Sequence, residues 1–256
     1  MKKLLTLFLL IAGLVTATQA QQLLLNGKIT FERSLNVHKD FKSDEDEDDQ
    51  DESIWRAEYL KRLPKYKVDV YELKFSKTKT HFYLKTPDEN PALGWYKTEG
   101  EFNQLSLLGM DSTYANLVIY DKKYVVVDSI AKPTWKLTGE YREIAGYMCR
   151  RATTILYDSV FVIAFYADAI PVSGGPDLYA GLPGMILGVV VPRFNFTMFA
   201  SKVETAVITD EDFVLKPLKK SLRVNRLQLQ EDLLKNTADW GAKYAPKFVL
   251  KTLFFH

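Results

Sequence analysis

Apolar and polar residues alternate at period two over residues 27–33, the signature of a strand buried on one face. The pattern returns over residues 68–76, where Tyr71, Leu73 and Phe75 share a face, and residues 81–85 predict the hairpin partner. Residues 116–120, 123–128, 134–143, 147–156 and 160–167 are each rich in β-branched and aromatic side chains. Asp121–Lys122, Ala145–Gly146 and Asp158–Ser159 fall between them at turn spacing. Residues 185–191 and 194–203 complete the series across Pro192, which cannot donate to a central ladder. About ten strands with short connections leave no room for helical crossovers. The predicted fold class is mainly β, a single antiparallel open or partly closed barrel with one or two short helices. A sheet of that size must close or nearly close to limit its exposed edges.

Three stretches break the pattern. Residues 53–63 predict a short helix, capped by Ser53, closed by Pro64, with Trp55 and Tyr59 four apart on one face. Residues 87–109 are rich in Pro, Gly, Asn and Glu and predict a long loop. From residue 213 onward the chain turns basic, with Leu229, Leu233 and Trp240 on a plausible helical face. Residues 248–255 predict a final strand or a docked apolar terminus.

Charge and export change this picture. Lys2 and Lys3 precede a 12-residue apolar run, and Thr18 and Ala20 place small residues before a cleavage point. That order predicts a signal peptide over residues 1–20 and a single mature domain over residues 21–256. The apolar run is shorter than the ~20 residues that span a bilayer, so no transmembrane span is expected after cleavage. The formal charge of +2 then falls to zero. The balance is uneven. Residues 43–52 form an acidic loop, with eight acids between Asp44 and Glu52, whereas residues 213–256 carry nine Lys or Arg against three acids. Only one Cys is present, which excludes an internal disulfide.

Searches for chemistry return little. His38, His81 and His256 are not spaced as zinc ligands, and no phosphate loop or nucleophile elbow occurs. No catalytic residue, metal or cofactor is expected, and no nucleic acid is expected as a partner. Cys149 reads as a buried small hydrophobe.

One block is more particular. It runs through Trp135, then Gly146-Tyr147-Met148-Cys149-Arg150-Arg151-Ala152, Tyr166, Ile170-Pro171, Gly175-Pro176 and Gly181-Leu182-Pro183-Gly184-Met185-Ile186. This resembles the GLPGLI family of exported proteins, known mainly from Bacteroidota, with Met185 where the family name has Leu. The chain departs from the family's usual pattern at Ala164-Phe165-Tyr166-Ala167 and by the Ala169 inserted before Ile170. The resemblance implies an envelope location, in the periplasm, at the outer membrane or secreted. It also implies an open barrel similar to periplasmic lipoprotein carriers, and it brings no assigned activity. Gly146, Cys149, Ala152, Pro171, Gly175, Pro176, Gly181, Gly184 and Ile186 read as its structural positions.

Two roles for the stiff loop of residues 170–184 stay open. It is a corner of the barrel, or it presents Tyr179, Leu182, Pro183 and Met185, with Trp135 and Tyr166 nearby, to a ligand or partner. The expected function is an exported, non-enzymatic envelope protein. It binds an apolar ligand, a lipid or peptide, or an outer-membrane protein partner. The alternative is an envelope-polymer hydrolase using the loop carboxylates Asp168 and Asp177.

Overall fold

The structure is a computed structural model that describes residues 23–43, 50–98, 100, 102–216 and 218–254. The leader expected at residues 1–20, acidic residues 44–49 and His256 lie outside the described residues. Twelve strands form one sheet: β1 (Gly27–Asn36), β2 (Tyr66–Phe75), β3 (Lys79–Thr86), β4 (Asn103–Leu107), β5 (Ser112–Ile119), β6 (Lys122–Ser129), β7 (Lys136–Ile144), β8 (Tyr147–Leu156), β9 (Val160–Ala167), β10 (Met185–Val191), β11 (Phe196–Glu204) and β12 (Leu222–Val224). Their spatial order is β12-β6-β5-β4-β3-β2-β1-β11-β10-β9-β8-β7. Every neighbouring pair is antiparallel except the short β12 against β6. The terminal strands β12 and β7 do not pair, so the barrel is open, and the mainly β expectation holds.

Two meanders, β1 to β6 and β7 to β11, meet along a single seam where β1 pairs with β11, Lys28 opposite Glu204 and Leu35 opposite Phe196. The alternation read from residues 27–33 places Ile29, Phe31 and Arg33 on the concave face. Tyr71, Leu73 and Phe75 of β2 and Phe82 of β3 join them in the core. Neither edge is a clean template. β12 has three residues, and β7 slips register against β8 between Leu137 and Tyr141.

Four α-helices are present among the described residues, more than the one or two expected: α1 (Val37–Ser43), α2 (Gln50–Arg62), α3 (Arg226–Asn236) and α4 (Gly241–Thr252). α2 starts three residues before Ser53, the cap position the sequence suggested. α3 buries Leu229 and Leu233, while Trp240 lies just beyond it and stays largely exposed. The apolar end of the chain is a helix and not a strand. Tyr244, Phe248, Val249 and Thr252 recur at helical spacing, and Val249 is buried. The last turns of α4 and the residues after it close one mouth of the barrel. Phe254 meets Phe194 at 5.1 Å and Tyr157 at 5.5 Å, while Phe248 stacks on Tyr120 at 5.4 Å. Lys251 Nζ donates to Asp40 at 2.6 Å and ties α4 to α1.

The loop expected over residues 87–109 contains β4. Its inward positions are Gln104 and Ser106, so an inverted polarity hides the strand from a search for buried apolar residues.

Closure of the mouth by Phe254 sets a stability cost. Phe254→Ala should lower unfolding stability by about 3 kcal/mol. Urea denaturation monitored by tryptophan fluorescence checks this, and a loss below about 1 kcal/mol would show that the terminal segment is not part of the core.

Candidate functional site

Sheet curvature creates a concavity, and the chain fills it with its own loop. Residues 168–184 leave β9, cross the concave face and re-enter β10. Within this loop Val172, Gly174, Gly175, Pro176, Asp177, Leu178, Tyr179, Ala180 and Leu182 are buried. The loop is bonded like an extra strand: Ile186 N–H donates to Gly174 O at 2.9 Å and Met185 N–H to Ile170 O at 2.9 Å. Gln104 Nε2 donates to Asp177 O at 2.6 Å, reaching the loop from β4. The Trp135 indole N–H donates to Ala180 O at 2.8 Å from the connection just before β7.

Two motif glycines are needed for this close approach. A Cβ on Gly184 would lie 2.2 Å from Ala167 O, and one on Gly175 would lie 2.3 Å from Tyr179 O. Both contacts are with backbone, which cannot move aside as a side chain can.

The candidate residues divide by burial. Tyr166, Tyr179, Leu182 and Met185 are buried and point into the protein, so the loop does not offer those side chains to solvent. Pro183 is exposed and Trp135 half-buried. Of the structural set, Cys149, Ala152, Gly175, Pro176, Gly184 and Ile186 are buried, Gly146 sits in the β7–β8 turn, and Pro171 and Gly181 are exposed. Burial pushes the Cys149 thiol up to about 12, which keeps it protonated and unreactive at neutral pH.

Where the loop meets β3, β4 and β5, a narrow cleft remains, with room for about one water molecule. Thr80, Gln104, Ser106, Thr113, Asp177 and Arg226 supply its polar lining. Burial pushes the Asp177 carboxyl up to about 6, and Arg226, Arg33 and the Leu178 N–H offset this only in part. Deeper in the concavity Arg33 Nη2 donates to Asp69 at 3.0 Å, and Lys67 Nζ lies 3.1 Å from the same carboxylate. Burial opposes charge on Asp69, yet Arg33 and Lys67 outweigh it and hold the carboxyl below its ordinary range. The Arg33 guanidinium also lies 4.8 Å from the Tyr71 ring centroid. The sequence reading missed this cluster because Arg33, Lys67 and Asp69 occupy apolar-phase positions of β1 and β2. A charged residue in the buried phase of an alternating strand was the available signal.

Asp168 and Asp177, paired in the hydrolase alternative, occupy different surroundings. Asp168 is exposed, whereas Asp177 is buried, and Asp168 is not among the groups acting on its charge. The His81 ring spends both nitrogens elsewhere, Nδ1 at 2.6 Å from Asp212 O and Nε2 at 2.5 Å from Asn103 Oδ1. Among the described residues no three His, Cys, Asp or Glu side chains gather to hold a metal ion. No described helix is long and apolar enough to cross a membrane.

Residues 156–188, from the end of β8 through the motif loop into β10, match a family described as a protein of unknown function (Porph_ging). No curated protein matches the chain. Two solved structures of PNGF-II are similar at 14% identity. The one in space group P21 has a TM-score of 0.49 and covers 81% of this chain and 32% of that one. The one in space group C2 has a TM-score of 0.46 and covers 80% and 32%. The chain thus spans about a third of the length of the structures it matches.

Two substitutions test the seat of the loop. The folded protein takes up a proton at Asp177 near pH 6, and the unfolded chain only near the ordinary value of 3.8. Stability from this group is therefore greatest below about pH 4 and falls as pH rises to about 6. Asp177→Asn should remove that slope and stabilise the protein at pH 7.5 by on the order of 2 kcal/mol. Urea titrations of both proteins at pH 4.5 and 7.5 check this, and parallel pH profiles would sink it. The Tyr179 hydroxyl is buried without a hydrogen-bond partner. Tyr179→Phe should be neutral or stabilising by up to about 1 kcal/mol, and a clear loss in thermal melts would contradict that placement.

Proposed function

We propose that this is an exported protein of the GLPGLI type, in the periplasm or at the outer membrane, that acts by binding a protein partner on its outer surface. A lipid carrier of this architecture needs an open apolar concavity. The observation that carries the proposal is that residues 168–184 occupy that concavity, anchored by Gln104 and Trp135. The cleft beside the loop mixes polar Thr80, Gln104 and Asp177 with apolar Leu108, Ile130 and Leu178, and at about the size of one water molecule it is too small for an acyl chain. The residue order before Ala20 supports export, and the hexapeptide from Gly181 to Ile186 supports the family.

Native mass spectrometry of protein purified from its own envelope tests both parts. The expected species begins at Gln21 and carries no lipid, and added fluorescent fatty acids are not taken up. A stoichiometric acyl-chain adduct would replace the partner-binding reading with a carrier, and a chain retaining residues 1–20 would remove export.

A further inference from the structure

We infer that residues 174–180 form a proton-operated plug of the concavity. The loop seats most firmly while Asp177 is protonated, and loss of that proton shifts it toward an open form that uncovers the concave face beneath. This goes beyond the partner-binding reading and does not depend on it, since the seated form stays dominant with Asp177 protonated or ionised.

The plug has the build of a separate unit. Residues 174–180 are all buried, whereas Ser173 before them and Gly181 after them are exposed. Gly181 sits at φ +88°, a conformation that only glycine adopts readily, and gives the exit a hinge. Two side chains hold the plug's backbone from outside, Gln104 at Asp177 O and the Trp135 indole at Ala180 O. The Ile186 N–H fixes its first residue at Gly174 O, 2.9 Å away. The Tyr179 N–H turns back to Pro176 O at 3.2 Å, so that bond travels with the plug.

Against this hold stand three costs within residues 177–179. Asp177 adopts φ +52°, a sparsely occupied region for a residue with a Cβ. The Tyr179 hydroxyl is buried with no hydrogen-bond partner among the described residues. The Asp177 carboxyl is buried beside a cleft that holds about one water molecule, so its charged form loses most of its hydration. Lifting the plug into water relieves all three, and only the third depends on a proton. Arg226 of α3 and Arg33 of β1 act on Asp177 by charge without a hydrogen bond, and the Leu178 N–H donates to it. Arg33 is itself bonded to Asp69. Tyr71 of β2, Tyr157 of the β8–β9 turn and Tyr179 also act on or feel this charge. Burial raises all three phenols above their ordinary value, which keeps them neutral. From β3, β4 and β5 the cleft receives only the neutral Thr80, Gln104, Ser106 and Thr113 as polar lining. Asp177 is therefore the group whose charge changes in this seat. It keeps its proton up to about pH 6 when seated and only to the ordinary 3.8 in water, so opening increases from about pH 4 to about 6 and then levels off.

Amide hydrogen exchange of the full chain, resolved by residue at pH 4.5 and 7.5 and corrected for intrinsic exchange rates, tests the inference. The opening equilibrium of the amides in residues 174–180 and of Ile186 should be about twentyfold larger at pH 7.5. Dilute urea should leave it unchanged, because a local opening exposes little surface. The amides of β1, such as Phe31, should be better protected and should respond to urea. Asp177→Asn, a residue that tolerates the left-handed backbone, should abolish the pH difference and hold opening near the acid level. Arg226→Gln should increase opening several-fold at pH 7.5 and leave it nearly unchanged at pH 4.5. The pH comparison on unaltered protein stands even if either variant fails to fold. Equal protection of the plug and β1 would show that residues 174–180 open only when the whole chain unfolds, and would overturn the inference. Local opening of the same size at both pH values would overturn it as well.

Discussion

The structure depends on one contact surface, the seat of residues 168–184 inside the curve of the sheet. An open barrel of twelve strands exposes its concave face unless something covers it, and that face here carries Phe31, Tyr71 and Phe82. The loop covers it from within the same chain. Several of its backbone groups are bonded to β10, to Gln104 of β4 and to Trp135 just before β7. The loop thereby does what a bound ligand does in a carrier, without the entropic cost of bringing in a second molecule. Its glycines follow from the same fact, since backbone packed on backbone leaves no space for a Cβ.

A filled concavity is not a uniformly apolar one. Arg33, Lys67 and Asp69 form a buried charge cluster beneath the loop, with Asp177 and Arg226 nearer the cleft. Such groups rarely add stability relative to a well-packed apolar core, but they penalise every arrangement that leaves one of them unpaired. The polar side chains of β4 belong to the same system. They explain why this part of the interior discriminates one loop position from another.

Strands whose concave positions are apolar were legible in the residues. β1, β2, β8, β9, β10 and β11 follow from period-two alternation or β-branched runs, because burial of one face writes that pattern directly. β4 was not legible, since Gln104 and Ser106 put polar groups where the pattern expects apolar ones. The terminal helix was read as a strand or a docked end because Phe248, Val249 and Leu250 favour strands locally, and tertiary packing of Val249 and Phe254 overrode that preference. The motif hexapeptide was visible as a stiff loop, but nothing in the residues told whether its apolar side chains faced inward. Only the position of the loop relative to β3 and β4 decides that, and those contacts join residues about 70 or more apart in sequence. The charge cluster and the stacking of Trp95 on Tyr59 were hidden for the same reason, although Trp55 and Tyr59 were correctly placed on one helical face.

The seam between β1 and β11 governs how the chain reaches this state. Each meander is local, because successive strands are neighbours in space, and each can form from its own stretch of sequence. The seam joins residues that are some 160 to 176 positions apart, Leu35 with Phe196 and Lys28 with Glu204. Loop-closure entropy makes such a pairing a late event. Until residues 196–204 are in place, β1 has one unpaired side and the first meander exposes an edge that the finished sheet lacks. The order of synthesis therefore creates a waiting period in which the N-terminal half is open to intermolecular pairing. The seam, more than either permanent edge, is the place where folding and misassembly compete.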